Sequence, residues 1–242
     1  MLWAVADVSV RTRLDRLPWT AVEAELARQP YARLGSLLTP IECRQLISLY
    51  AAEASFRSRV DMERHRYGVG EYKYFAHPLP GLVEELRGTA YPHLARLANG
   101  WAQALGAASR FPERLEDFLS RCHDAGQRRP TPLLLRYETG GYNALHQDVY
   151  GDVAFPLQLA VFLSQPERDY TGGEFLLVEQ RPRAQSVGEA LLLGEGEAVV
   201  FANRHRPVRS ARGFYRAAVR HGVSRVRSGQ RFTLGVIFHD AL

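Results

Sequence analysis

Two side chains able to bind a metal, His146 and Asp148, are separated only by Gln147. Successive side chains alternate in an extended strand, so this spacing aims both at one face. A third candidate, His221, follows Asp148 by 73 residues in another predicted strand, and Arg231 comes ten residues later, where the last apolar run begins. Two histidines and one carboxylate on one side of a metal leave coordination positions open. That is the facial arrangement of non-haem Fe(II) centres that activate oxygen. His205 and His239 compete with His221 for the third position.

The elements that must position these residues change character near residue 130. Before it, apolar residues recur with helical period; after it, short apolar runs alternate with turn signals, as in antiparallel sheets. Helices are predicted over 19–28, from Thr39, over 82–87, over 91–105 and over 112–125. The helix at Thr39 is the most sharply defined. Its hydroxyl caps, Pro40 occupies the first turn and Glu42 completes a capping box. Strands are predicted over 133–137, 142–147, 157–164, 174–179, 190–193, 198–201, 216–223 and 231–239, and eight strands suit a double-sheet jelly roll of the cupin kind. Within 157–163 the odd positions are Leu, Leu, Val and Leu, while the even ones include Gln158 and Ala160, so the two faces have different jobs. The fold class read from this pattern is α+β: a jelly-roll catalytic core over 131–242 with a mainly helical support region, 1–130, packed on it as one domain.

Composition bounds the rest. With 46% hydrophobic and 24% charged residues, the chain is neither disordered nor coiled-coil. It lacks a run long enough for a membrane helix, and Asp7 interrupts the start before a secretory core is complete, so a cytoplasmic protein is expected. Two cysteines, Cys43 and Cys122, sit on predicted helix faces and read as core residues. The net charge of +5 is concentrated in one place: between Arg204 and Arg231 stand nine arginines and no acid, and removing those nine from 31 basic residues leaves 22 against 26 acidic ones. Such a segment reads either as a solvated face or as a contact for nucleic acid.

The order His146, Asp148, His221, Arg231 resembles that of the Fe(II)/2-oxoglutarate-dependent dioxygenases, in the prolyl-hydroxylase-like subgroup. Secondary features are similar too, over roughly residues 35–242. They are Leu37-Leu38-Thr39-Pro40-Ile41-Glu42-Cys43 as the helix opening, Tyr137 and Tyr142 around Gly140 and Gly141 before the metal motif, Gly172-Gly173-Glu174-Phe175, and Gly196 to Phe201 before the distal histidine. The resemblance implies a double-stranded β-helix in which His146, Asp148 and His221 hold Fe(II). His239, lying after Arg231, falls out of the family order. Arg231 would then grip the far carboxylate of 2-oxoglutarate, helped by Thr233 two residues along the strand, with Tyr137 as a further hydroxyl donor by family position. The implied reaction consumes O2, decarboxylates 2-oxoglutarate to succinate and CO2, and oxidises a substrate C–H bond.

For the substrate, the spacing resembles enzymes that hydroxylate protein or peptide side chains, which makes a prolyl-hydroxylase-like activity the leading expectation. A rival is oxidative dealkylation of nucleic-acid bases, as in AlkB-type enzymes. It is motivated by the Arg204–Arg231 segment and by the stretch from Arg64 to Tyr74, where cations alternate with aromatics in a predicted lid. Against it, AlkB-type enzymes carry a second arginine six residues past the cosubstrate arginine, where this chain has Ile237. Small-molecule hydroxylation and a non-catalytic jelly-roll binding protein complete the field.

Overall fold

A computed structural model of the chain describes residues 8–108 and 110–242; the opening seven residues, on which the reading of the chain start rests, lie outside them. The first part of the chain contributes helices α1 (Val10–Asp15), α2 (Trp19–Arg28), α3 (Pro40–Leu49), α4 (Gly81–Ala104) and α5 (Leu115–Asp124). It also contributes four strands that the helical reading missed: β1 (Tyr31–Ser36), β2 (Phe56–Asp61), β3 (Gly68–Val69) and β4 (Glu71–Phe75). Ten strands follow: β5 (Leu133–Glu138), β6 (Tyr142–His146), β7 (Leu157–Phe162), β8 (Tyr170–Gly172), β9 (Phe175–Gln180), β10 (Val187–Leu191), β11 (Glu197–Ala202), β12 (His205–Ser210), β13 (Gly213–Val223) and β14 (Val226–Val236). No helix among the described residues is long and apolar enough to cross a membrane.

Two antiparallel sheets make the jelly roll. The larger runs β1-β11-β7-β14-β5-β4-β2 with β8 against β14, and the smaller runs β10-β9-β13-β6-β3 with β12 against β13. The expected α+β jelly roll is therefore present, but β1 and β4 extend its larger sheet from the N-terminal side. Their local signals are weak because β1 carries Gly35 and β4 carries Glu71 and Lys73, residues poor in strands until a neighbouring strand and buried partners support them.

The helices cover one face of the larger sheet. Thr39 caps α3 with the expected reciprocal pair, its hydroxyl accepting from Glu42 N and Glu42 receiving Thr39 N at 2.7 Å. The two predicted helices over 82–105 are one, α4, with Pro92 inside it. Its buried stripe from Val83 through Leu86, Ala90, Tyr91 and Leu94 to Trp101 is continuous, and that packing outweighs the lost hydrogen bond at the proline. In β7 both faces are buried. Leu157, Leu159 and Val161 belong to the main core, whereas Gln158 and Ala160 line an internal cavity.

Two buried arginines tie helices to the jelly roll. From α4, Arg87 donates to the carbonyls of Ile237 and Phe238 at 3.0 Å each and to Asp240 Oδ1 at 2.8 Å. Arg206 in β12 is fully buried, pairs with Glu179 of β9, and donates to the carbonyls of Leu26, Ala27 and Arg28 at 3.3, 3.2 and 3.1 Å. A cation there satisfies the orphan carbonyls and the negative end of the α2 dipole together. The arginine-rich segment is accordingly not one solvated face, since Arg206 and Arg231 are buried and the other seven are exposed.

Removing Arg206 would strand the α2 carbonyls and leave the buried Glu179 with only the partly exposed Arg181, at 2.6 Å. Arg206→Ala is expected to cost roughly 3–5 kcal/mol of unfolding free energy, read from urea denaturation, whereas Arg209→Ala, on an exposed position of the same strand, should leave the midpoint unchanged.

Candidate active site

The register of the smaller sheet sets His146 of β6 directly opposite His221 of β13. The pairing slips between His221 and Val223, a bulge that advances β6 by one residue. Gly222 makes this approach possible, because a Cβ there would lie 2.7 Å from the Asn143 carbonyl. The two imidazoles stand with centroids 4.3 Å apart. Asp148, just past the end of β6, reaches back between them, with Oδ2 3.2 Å from His221 Nε2 and Oδ1 3.6 Å from His146 Nε2. All three ligand atoms lie within 4.8 Å of one another.

Each member is held from behind. His146 Nδ1–H donates to the Ala144 carbonyl at 2.7 Å, which leaves Nε2 as a lone pair facing its neighbours. Asn203 clasps the Asp148 backbone, accepting from its N–H at 3.0 Å and donating to its carbonyl. Gln147 donates to the Val219 and Arg204 carbonyls, so the intervening residue of the motif locks the turn. Tyr150 donates to Asp148 Oδ1 at 2.7 Å. Burial alone would raise the Asp148 carboxyl; the hydrogen bond and charge of His221, with His146 and Tyr150, hold it well below the usual carboxylate range. Burial and the neighbouring His146 push the His221 imidazole down, so it favours the neutral form that ligates metals.

Behind this cluster, on the larger sheet, Arg231 of β14 is 1% exposed. Its guanidinium lies 5.5, 5.2 and 5.9 Å from the ring centres of Tyr137, Phe162 and Tyr170, and none of its nitrogens makes a hydrogen bond of ordinary geometry among the described residues. The hydroxyls of Thr233 and Tyr137 are buried and likewise unpaired. One cavity of about 470 Å³ joins these groups to the His146, Asp148 and His221 cluster and opens past Arg66, Tyr67 and Leu145. Among the described residues, Asp148 is the one carboxylate on its wall.

A family of oxygenases, described as catalysing oxidative methylation of damaged DNA, matches residues 70–241. The chain belongs to this oxygenase family. Two uncharacterized proteins of Mycobacterium tuberculosis, from strains CDC 1551 / Oshkosh and ATCC 25618 / H37Rv, are each 50% identical to it over 196 residues, 79% of this chain and 84% of theirs. The fold is shared with a prolyl-4-hydroxylase from Pseudomonas putida (TM-score 0.52, 15% identity, 90% of this chain and 96% of that one). It is also shared with an oxidoreductase of the 2OG-Fe(II) oxygenase family from Burkholderia pseudomallei (TM-score 0.53, 14% identity, 93% and 94%). At such identities the likeness bears on fold alone.

The resemblance noted in the sequence implies Fe(II), 2-oxoglutarate and O2 for an oxygenase of this kind. The side chains fit that set. A His-Asp-His cluster with convergent ligand atoms suits Fe(II). An arginine buried without a counter-charge is costly unless an anion arrives to pair with it, and 2-oxoglutarate brings two carboxylates.

All six residues singled out from the sequence line this one cavity. Of the competitors, His205 sits on another pocket, and buried His239 accepts from Phe155 N at 3.3 Å, so neither joins the cluster. The stretch from Arg64 to Tyr74 is not a lid throughout. From Glu71 onward it is β4, inside the larger sheet, and Lys73 is buried against Glu53 at 2.5 Å and the Tyr50 carbonyl at 2.9 Å. Of this stretch, Arg66 and Tyr67 on the turn and Tyr72 of β4 line the cavity. Sequence reasoning missed Tyr150 and Asn203. Tyr150 continues the two-residue stride of His146 and Asp148, a signal that was there to use; Asn203, 55 residues from Asp148, gave none.

Two substitutions separate the roles of these groups. Tyr150→Phe should weaken Fe(II) affinity about 10- to 100-fold and leave 2-oxoglutarate affinity for the iron-loaded protein nearly unchanged. Arg231→Gln should keep Fe(II) and lose about 2–5 kcal/mol of 2-oxoglutarate binding. Anaerobic calorimetry reads both.

Proposed function

We propose that this oxygenase removes alkyl groups from nucleic-acid bases by oxidation. His146, Asp148 and His221 hold Fe(II), and Arg231, with Thr233 and Tyr137, holds the far carboxylate of 2-oxoglutarate. The observation that carries the substrate reading is the cavity mouth. Arg66 and Tyr67 line it, His65 stacks on Tyr67 at 5.3 Å, and acidic groups are missing from the lining except Asp148. Outside the lining, Arg225 lies 4.8 Å over the half-buried Tyr142 ring and donates to the Gly140 carbonyl at 2.7 Å. Cations beside exposed aromatic faces suit phosphates and unstacked bases. The description of the family as acting on damaged DNA supports the same reading.

Bound Fe(II) supplies the activation of O2, while the chain supplies position and exclusion of water. Arg231 fixes one end of the cosubstrate in a dry pocket, where a bidentate pair is strong. Asp148, held by Tyr150 through one oxygen, offers the other to the metal. Leu135 and Ala160 make the inner wall apolar, which favours a base over a hydrated polar side chain. Oxidising an N-methyl group in this way gives an N-hydroxymethyl group that falls away as formaldehyde, as one O2 and one 2-oxoglutarate become succinate and CO2.

The enzyme does not copy AlkB-type sites. Ile237, where those have a second arginine, is 1% exposed and packs with Tyr74 and Leu133, so substrate recognition falls to the mouth. Peptide hydroxylation, the leading expectation from motif spacing, has that spacing and the shared fold in its support.

Formaldehyde and succinate release should be measured side by side with oligonucleotides bearing N-methylated bases and with proline-containing peptides. Formaldehyde in step with succinate is expected from the oligonucleotides, with Arg66→Gln raising KM more than it lowers kcat; hydroxylated peptide instead would overturn the nucleic-acid reading.

A further inference from the structure

A second cavity, of about 210 Å³, lies on the far side of the turn that carries Asp148. Its walls are apolar and aromatic, with Trp101 at the end of α4 and Phe111 and Phe155 beside it, and its rim is Arg204, His205 and Arg216. The guanidiniums of Arg204 and Arg216 have neither a carboxylate nor a hydrogen-bond partner among the described residues. Burial, and then the charges of those two arginines, push the His205 imidazole below its ordinary value, so the three groups converge without an anion to relieve them. β12 and β13 place them as neighbours, His205 pairing with Ala218 and Pro207 with Arg216.

This pocket is joined to the active site. Val149 lines both cavities, Asn203 lines the second while clasping Asp148, and Gln147 donates to the Arg204 carbonyl.

We propose that this cavity is a second nucleotide subsite, which takes the base next to the one being oxidised against Trp101 and Phe111 and its phosphates on Arg204 and Arg216. The proposal rests on the nucleic-acid reading above. Charge decides the occupant: two unpaired guanidiniums at the rim of an apolar slot match a flat base joined to phosphodiesters, and Arg suits phosphate because its planar fork can donate two bonds at once. Stacking on aromatic walls is tolerant of sequence, so the subsite would set affinity and strand path and would leave the choice of lesion to the first cavity. A strand held at both pockets must have its bases unstacked, which favours single-stranded substrate.

The test uses the full-length protein loaded with Fe(II) and 2-oxoglutarate under anaerobic conditions. A labelled single-stranded decamer is titrated by fluorescence anisotropy into wild type, Arg66→Gln and the Arg204→Gln/Arg216→Gln double variant. Trp101 emission is followed in a Trp3→Phe/Trp19→Phe background. The double variant is expected to bind at least tenfold more weakly at low salt. Its plot of log affinity against log salt should flatten by about 1.4, two phosphates at 0.7 each for a single strand. Trp101 quenching by the oligonucleotide should disappear with the arginines, while Fe(II) and 2-oxoglutarate affinities hold. Unchanged affinity in the double variant alongside weaker binding in Arg66→Gln would overturn the subsite and leave the proposed function standing. Absence of oligonucleotide binding by wild type would remove both. Arginine-dependent quenching by a medium-chain carboxylate such as octanoate, with no effect of the arginines on the oligonucleotide, would also overturn the proposal.

Discussion

The cross-strand pairing of His146 with His221 is the constraint on which the site depends. A sheet register is discrete, so a slip of one residue would turn one imidazole out of the cavity and bury its neighbour. The bulge beside it, the close approach allowed by Gly222 and the clasp of Asn203 on the Asp148 backbone all hold that single register. Asp148 can then lie outside the regular ladder, where its backbone is free to bend back, and still present its carboxylate between two rigid rings.

Buried charge is used in two opposite ways. Arg87 and Arg206 are closed: each has a carboxylate and two or more carbonyls, and each joins a helix to the sheets. Arg231 is open, equally buried but ringed by aromatic faces and lacking an ion partner among the described residues. A fold tolerates an open buried cation only where the rest of the structure over-determines it, and here the flanking strands β5 and β7 fix β14 on both sides. The contrast sets Arg231 apart from the two strut arginines, which the sequence writes identically.

The motif was legible because its chemistry is local or ordered along the chain. His146 and Asp148 share a face by strand period, His221 and Arg231 follow in a recognisable order, and the alternation in 157–163 correctly separates a cavity face from a core face. The capping box at Thr39 was readable for the same reason, since its reciprocal bonds span only three residues. The strands of the N-terminal part were not readable. Lys73 looks like a solvent-seeking cation on a lid, yet Glu53, twenty residues away, and the rings of Tyr50 and Phe56 make its burial tolerable.

The sequence by itself determined the residue types that can ligate a metal and grip a carboxylate, and the elements on which they lie, because those depend on side-chain chemistry and on backbone periods of 2 and 3.6. Tertiary structure alone decided that Arg206 of the basic segment is a buried strut, that Arg231 is buried without an ion partner among the described residues, and that Arg204 and Arg216 stand exposed at the rim of a second pocket. That sorting depends on desolvation and on partners tens to more than a hundred residues away, such as Glu179 and the α2 carbonyls for Arg206, and no local pattern encodes it.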